Sequence, residues 1–317
     1  MTAQMTERTW RIGTRGSPLA LAQAEEVRAR LTAAHPALAA EGAVEIVVIT
    51  TTGDRDRSRP LSEIGGKGLF TKEIEEALLE DRIDLAVHSM KDVPTWLPEG
   101  LEISTILPRE DARDALFSSV ADSLAALPEG AVVGTVSLRR QAQLLALRPD
   151  LQVVPLRGNV DTRLRKLEEG QVAATLLAVA GLRRLGQAER ITAALEPEEM
   201  LPAVAQGAVG LEVRQDDAEV RALLAPLDDA ESATRVRAER ACLEVLDGSC
   251  RTPIAAYAEL AAGRLRLRGL VALPDGSQVF SAEAEADAAD AEGLGRALGQ
   301  ELRIEAGEAF FKALEDL

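Results

Sequence analysis

AVVGTVSLRRQAQLLALRPDLQVVPLRGNVDTRLRKLEEGQVAATLLAV, residues 131–179, reads as strand, helix, strand, helix, strand. Ala131 to Thr135 and Gln152 to Arg157 are short runs with β-branched residues, and Ala173 to Val179 is a third. Ser137 offers an N-cap for the first helix, and the second helix follows from Asp161. Strands alternating with helices predict parallel sheet order. The same alternation extends towards the N-terminus. Trp10 to Thr14 is a strand, and Ser17 with Pro18 opens a helix whose Ala20, Ala24, Val27, Leu31 and Ala34 form one apolar face. Val44 to Thr50 is a continuous run rich in β-branched residues, expected to be a strand buried on both faces. A glycine loop at Gly65 to Gly68, a helix through Phe70, Ile74, Ala77 and Leu78, and a strand from Asp84 to Ser89 follow.

Beyond the opening stretch, Leu201 to Arg214 is rich in Gly and Ala, as suits a crossing between domains. After Pro226 the character changes. A helix around Arg235 to Leu246, a strand from Arg264 to Leu273, a Pro-Asp-Gly turn, another strand and a final helix predict a small α+β domain. The expected fold class is α/β, with domain 1 at residues 1–107 and 208–226, domain 2 at 113–201, and domain 3 at 230–317.

The 317 residues carry 36 Lys+Arg against 52 Asp+Glu, a net charge of −16. With only two Trp, one Tyr and five Phe, such a chain does not suit nucleic acid, which asks for a basic surface and stacking rings. The charge equally disfavours an anionic membrane surface. No apolar run reaches the ~18 residues of a membrane span, and the N-terminal stretch lacks the apolar core of a signal peptide, so a cytoplasmic location is expected. Two Cys and two His do not make an all-cysteine zinc site or a zinc finger, and no metal is expected.

The charge is unevenly spread. Ser137 to Arg184 holds nine basic and four acidic residues, so this segment is +5 inside an acidic chain. Arg148, Lys166 and Arg184 suit solvated helix faces. Arg15, Ser17, Lys91, Asp92, Ser137, Arg139, Arg140, Arg157 and Asn159 instead fall at strand ends or at the helix starts that follow, where ligands of parallel α/β sheets sit. Arginine at such places suits carboxylate or phosphate, which its planar fork holds through two bonds. Gly65 to Gly68 is not a Walker A loop, since Gly68 follows Lys67 and Leu61 stands where the first Gly belongs. His88 reads as a satisfied internal histidine.

Eight motifs in order, TRGSPLALAQ (14–23), GGKGLFTKEIE (65–75), AVHSMKDVP (86–94), GTVSLRRQAQL (134–144), LRGNVDTRL (156–164), LAVAGLRRLG (177–186), PAVAQGAVGLE (202–212) and GSCRTPIAAYA (248–258), resemble the porphobilinogen deaminase family. The resemblance runs from about residue 11 to residue 273. It implies two periplasmic-binding-protein-like α/β domains facing a cleft, plus a small C-terminal α+β domain whose cysteine holds a dipyrromethane cofactor by a thioether. The implied activity is that of a hydroxymethylbilane synthase, a transferase. Four porphobilinogen molecules condense head to tail on that primer, four ammonia leave, and hydroxymethylbilane is released by hydrolysis.

Carried over by motif, the resemblance makes Asp92 the catalytic carboxylate, with Arg15 and Lys91 beside it. Cys250 becomes the tether. Ser17, Lys91, Asp92, Ser137, Arg139, Arg140, Arg157 and Arg163 would bind the cofactor, and Arg15, Gln23, Lys67, Arg157 and Gln206 the substrate. Loss of ammonia leaves a cationic pyrrole, which a carboxylate hydrogen-bonded to pyrrole N–H groups stabilises. Thr51 to Ile64, with Asp54 and Arg55, corresponds to a loop over the cleft and is expected to limit water access. Asp161 stands where the family commonly has Gly, and as an N-cap it would stabilise its helix. Cys242 is expected to be a buried apolar residue. The family precedent is a monomer.

Two other readings compete. Paired α/β lobes around arginines also describe a non-catalytic carboxylate-binding protein, against which stand the absent signal peptide and the placement of Cys250. A metal-free lyase using Lys91 is the third reading.

Overall fold

β1 (Trp10–Thr14) buries Trp10 and Ile12 completely in a computed structural model of the chain that describes residues 8–55, 68–247 and 252–315. Its turn leads into α1 (Pro18–Ala34), capped by Ser17, whose side chain accepts from the Ala20 N–H. Pro18 occupies the first turn, where no backbone donor is required. α1 turns Ala20, Gln23, Ala24, Val27 and Leu31 inward, and Ala34, expected on this face, is exposed. β2 (Val44–Val48), α2 (Thr52–Arg55), α3 (Lys72–Leu79), β3 (Leu85–Ser89) and β4 (Leu101–Ile106) complete the first passage. The chain then forms β5 (Asp114–Ser118), β6 (Val132–Gly134), α4 (Leu138–Leu147), β7 (Gln152–Val154), α5 (Val160–Glu168), β8 (Ala174–Ala178), α6 (Val179–Arg184) and β9 (Ala193–Leu195). β10 (Val209–Arg214), α7 (Ala218–Leu224), α8 (Ala230–Val245), β11 (Ile254–Ala261), β12 (Arg264–Ala272), β13 (Val279–Asp287), α9 (Ala291–Ala306) and α10 (Glu308–Glu315) follow.

These elements make two compact units, residues 1–109 with 208–233 and residues 110–207 with 234–317. In the first, the strand order is β2-β1-β3-β10-β4. One face packs Trp10, Ile12, Leu85, Val87, Leu211 and Val213 against Ala24, Val27 and Leu31 of α1 and Val220 and Leu224 of α7. The other sets Ala86 against Ile74, Ala77 and Leu78 of α3. Cutting Leu31 to Ala in such a core costs roughly 2–5 kcal/mol, the lost transfer energy plus the cavity.

The second unit holds a sheet of order β7-β6-β8-β5-β9 and a three-stranded sheet β11-β12-β13. Leu144 of α4 packs with Leu116, Val133 and Leu176 on one face of the five-stranded sheet, and Leu164 and Leu167 of α5 pack with Ala115, Phe117 and Leu177 on the other. The three-stranded sheet is antiparallel throughout. Its Gly269 lies close to Leu298 and Leu302 of α9 and to Cys242 of α8. Fold class is thus mixed α/β, with a smaller sheet-and-helix region at the C-terminal end.

Three expectations are corrected here. Sheet order is mixed: β1 pairs in parallel with β2 and β3, but β10 runs antiparallel between β3 and β4, and β5 antiparallel between β8 and β9. β10 arrives from the segment after β9 and not through a helix crossing back over its own sheet, so the parallel rule for strand-helix-strand units does not govern it. β2 is not buried on both faces. It is an edge strand with no fully buried residue and with Val48 54% exposed, and a β-branched run does not by itself tell an edge from a centre. Asp161 is not the N-cap of α5. Asn159 caps it, accepting from the Thr162 N–H at 2.9 Å, and exposed Asp161 sits within the first turn, where it accepts from Gln187.

Candidate functional site

In the first unit, the carboxyl ends of β1 and β3 lie side by side because these strands are parallel neighbours. Arg15 follows β1 directly. Ser89 ends β3, and Met90 to Asp92 form a single 3-10 turn beyond it. The Arg15 guanidinium donates to Asp54 from Nε at 3.1 Å and Nη2 at 2.6 Å, and its Nη1 lies 3.9 Å from Asp92 Oδ2. The Phe70 ring lies under it, 4.1 Å from the ring centre to the guanidinium carbon. Burial alone would raise the Asp54 carboxyl, but hydrogen bonds from Arg15 and Thr51 outweigh that and hold it below its ordinary value. Lys91 and Asp92 are half-buried.

Ser17 spends its hydroxyl as the α1 cap. Gln23 is buried with its amide against the Ser89 hydroxyl at 2.9 Å, bracing the start of α1 against the end of β3. On the far face of β3, His88 Nε2 meets Glu212 Oε2 at 2.8 Å with both side chains buried, so His88 is a satisfied internal residue.

In the second unit, Ser137 caps α4 through the Arg140 N–H, and Arg139 and Arg140 are its second and third residues. Both are buried, at 5% and 6% exposure, so neither decorates a surface. They converge on Asp114, which is fully buried: Arg139 Nη1 lies 2.7 Å from Oδ2, and Arg140 Nη2 and Nε lie 2.7 and 3.1 Å from Oδ1. Arg139 also donates to the Leu201 carbonyl and Arg140 to the Leu176 carbonyl. Burial opposes the charge on Asp114, yet the two guanidinium groups hold its carboxyl well below the usual range.

Gln206 is 1% exposed and donates to Asp114 Oδ1 at 2.9 Å and to the Ala112 carbonyl at 2.7 Å. It precedes Gly207, whose φ of +88° and 2.4 Å approach of a would-be Cβ to the Glu110 carbonyl admit only glycine. Arg157 is half-buried. Arg163 donates to the Gly158 carbonyl, and burial together with the neighbouring Arg140 and Arg157 charges brings it down to about 10. Among the described residues no carboxylate lies within ion-pair distance of Arg163. A cluster of arginines this close together, with Asp114 neutralising part of their charge, is a donor set for a ligand with several carboxylates.

Asp114 and Asp54 are the residues that sequence reading did not assign to this chemistry. The signal for Asp114 lies in strand direction: its antiparallel pairing with β8 sets Asp114 opposite Ala178, the last residue of β8. That brings an N-terminal strand residue to the edge where the parallel strands end. Lys67 and Cys250, expected as a substrate contact and as the tether, lie outside the described residues, as does most of Thr51 to Ile64 beyond Arg55.

Two family models match the chain: "Porphobilinogen deaminase, dipyromethane cofactor binding domain" over residues 10–222, and "Porphobilinogen deaminase, C-terminal domain" over residues 233–303. A porphobilinogen deaminase of Paracoccus denitrificans is 61% identical over 301 residues, 95% of this chain and 96% of that protein. A chloroplastic porphobilinogen deaminase of Oryza sativa subsp. japonica is 57% identical over 308 residues, 96% of this chain and 86% of that protein. Among solved structures, a periplasmic substrate-binding protein of an ABC transporter from Coxiella burnetii is 16% identical and covers 71% of this chain and 94% of its own, at a TM-score of 0.42.

Proposed function

This chain belongs to the porphobilinogen deaminase family, and we propose that the arginines at the strand edge of the second unit bind the carboxylates of a polycarboxylate ligand and that the Arg15–Asp92 pair of the first unit serves a reacting ring. It is a hydroxymethylbilane synthase, a transferase that condenses four porphobilinogen molecules head to tail with loss of four ammonia, and it uses a dipyrromethane cofactor. When bound, that cofactor supplies a primer with a free α-carbon on which the chain grows. The observation that carries the reading is the cation excess at the strand edge of the second unit: Arg139, Arg140 and Arg163 with the single carboxylate of Asp114.

Arg139, Arg140, Arg157 and Arg163 bind the carboxylates of cofactor and growing chain, with Ser137 holding the helix start from which two of them project. Asp92 accepts hydrogen bonds from pyrrole N–H groups and stabilises the positive charge that develops as ammonia leaves. Arg15, its Nη1 3.9 Å from Asp92 Oδ2, sets a positive charge beside that carboxylate and engages a substrate carboxylate. Lys91 adds a cation beside Asp92. Ser17, Gln23 and Gln206 act from behind these groups through their hydrogen bonds, Lys67 contributes a further substrate contact, and Cys250 is the point of attachment.

The three-domain division at residues 1–107 with 208–226, 113–201 and 230–317, a monomeric state and a cytoplasmic location belong to the same proposal. Among the described residues no helix is long and apolar enough to cross a membrane. Intact-mass measurement tests the tether and the cofactor together. Protein from cells that make porphobilinogen is expected to be heavier than its sequence by a two-ring pyrrole adduct, absent in Cys250→Ser. A bare mass in the unsubstituted protein refutes the reading.

A further inference from the structure

Arg139 and Arg140 are consecutive on a helix, so their side chains leave the axis about 100° apart and do not naturally meet. They nevertheless end on the two oxygens of one carboxylate. That carboxylate enters on β5, the antiparallel strand of a sheet whose other site residues follow parallel strands. An unpaired carboxylate this deep is strongly unfavourable, as are two adjacent buried guanidinium groups with nothing between them, so each side of the cluster requires the other. Gln206 adds a third donor to Asp114 Oδ1, and its backbone sits in a turn fixed by Ala205 at φ +56° and Gly207 at φ +88°. Asp114 is therefore held from both directions before any ligand arrives. It cancels one of the two arginine charges and leaves the other for an anion.

We propose that Asp114 is a positioning residue for ligand binding: it fixes where the Arg139 and Arg140 guanidinium groups stand and how much positive charge they present, and Gln206 keeps it in place. Asp114 does not itself touch the ligand. The proposal rests on the reading of Arg139 and Arg140 as carboxylate-binding residues, and it deepens that reading by naming the group that organises them.

The test uses full-length protein produced in cells unable to make porphobilinogen, then given porphobilinogen at a series of concentrations while intact mass is followed in time. Asp114→Asn, Asp114→Glu, Arg139→Leu and Arg140→Leu are compared with the unsubstituted chain, with circular dichroism confirming the folded fraction at the assay temperature. The porphobilinogen concentration giving half-maximal mass gain is expected to rise roughly ten-fold or more in Asp114→Asn, and less in Asp114→Glu, which restores the charge one methylene away. A carboxylate with only a structural role would lower the melting midpoint and leave that concentration unchanged in the folded fraction. Unchanged half-saturation in Asp114→Asn, with Arg140→Leu impaired, overturns the proposal alone. Unchanged behaviour in both arginine variants overturns the reading beneath it, and the proposal falls with it. Should Asp114→Asn not accumulate folded, Gln206→Leu carries the same test, because it leaves the carboxylate and removes one of its donors; the expected shift is in the same direction and smaller.

Discussion

Arg15 grips Asp54 through two nitrogens, Nε at 3.1 Å and Nη2 at 2.6 Å, while its third nitrogen stands 3.9 Å from Asp92. One cation thus faces two carboxylates, one on the short helix α2 and one on the turn after β3. A ligand carboxylate that engages Arg15 must share it with Asp54 or take its place, so the Arg15–Asp54 contact is part of the chemistry of binding as well as of the fold.

Asp54→Asn tests the contact as an electrostatic one. The Asp54 carboxyl titrates below its unfolded value in the native protein, so its stabilisation is complete above the unfolded pKa of about 4 and fades as pH falls through the folded value. The pair is about one-fifth exposed on each side, and solvent screening limits its contribution to about 1 kcal/mol. Thermal melts are expected to show Asp54→Asn less stable than the unsubstituted protein at pH 7, with a smaller deficit at pH 3. An equal deficit at both pH values would show that the charge of Asp54 is not what matters.

Asp92→Ala separates binding from turnover. Asp92 is half-buried beside Arg15 and lies in a turn anchored by the Met90 N–H on the Ala208 carbonyl, so its truncation leaves the turn in place. The variant is expected to fold, to gain adduct mass at least in part, and to lose roughly 10²–10⁴-fold in turnover, the range for a group that stabilises charge or moves a proton in the transition state. Product formation measured on the adduct-bearing fraction decides it, and near-normal rates would remove Asp92 from this role.

Glu75→Gln reports on the buried acidic pair behind β3. Burial raises the Glu75 carboxyl against an opposing hydrogen bond with Thr71, and the Glu212 charge raises it further, with His88 partly opposing. A carboxyl whose folded pKa is raised gives its full stability below the unfolded value and loses it as pH rises through the folded one. Glutamine is neutral throughout, so the melting midpoint of Glu75→Gln relative to the unsubstituted protein is expected to climb as pH rises from about 4, the unfolded value, toward neutrality. A difference that stays constant over that range would rule out titration of Glu75 as its source.

Local chemistry made much of this legible in the sequence. Ser17 before Pro18 and Ser137 before Leu138 mark helix starts through residues a few positions apart, and the arginines of the site lie next to those marks, whereas α5, expected from Asp161, starts two residues earlier, at the Asn159 cap. What escaped depends on pairing between distant strands. The antiparallel entry of β5 brings Asp114 under Arg139 and Arg140, and no periodicity around Asp114 announces it. β2 gave the same difficulty in another form, since whether Val48 meets a neighbour or water is decided by sheet order and not by its own β-branched side chain. Gln206 sits in a Gly- and Ala-rich stretch whose composition signals a crossing between domains but not that its amide is spent on a buried carboxylate.

Cys242 offers a check on the tether that needs no substrate. It is fully buried in α8 beneath Gly269, and burial, with the Glu239 charge adding, pushes its thiol up to about 12. At pH 7 only ~10⁻⁵ of such a thiol is thiolate, the form that reacts with alkylating agents, and burial blocks the reagent as well. If Cys250 carries the cofactor through a thioether, neither cysteine of the native protein is open to iodoacetamide. Native protein from a porphobilinogen-producing host is therefore expected to take up no label, and the same protein in denaturant to take up one equivalent, at Cys242. Protein lacking the adduct is expected to take up one in the native state, at Cys250. Peptide mapping of the labelled site distinguishes these outcomes, and native labelling of Cys242 would contradict its placement in the core.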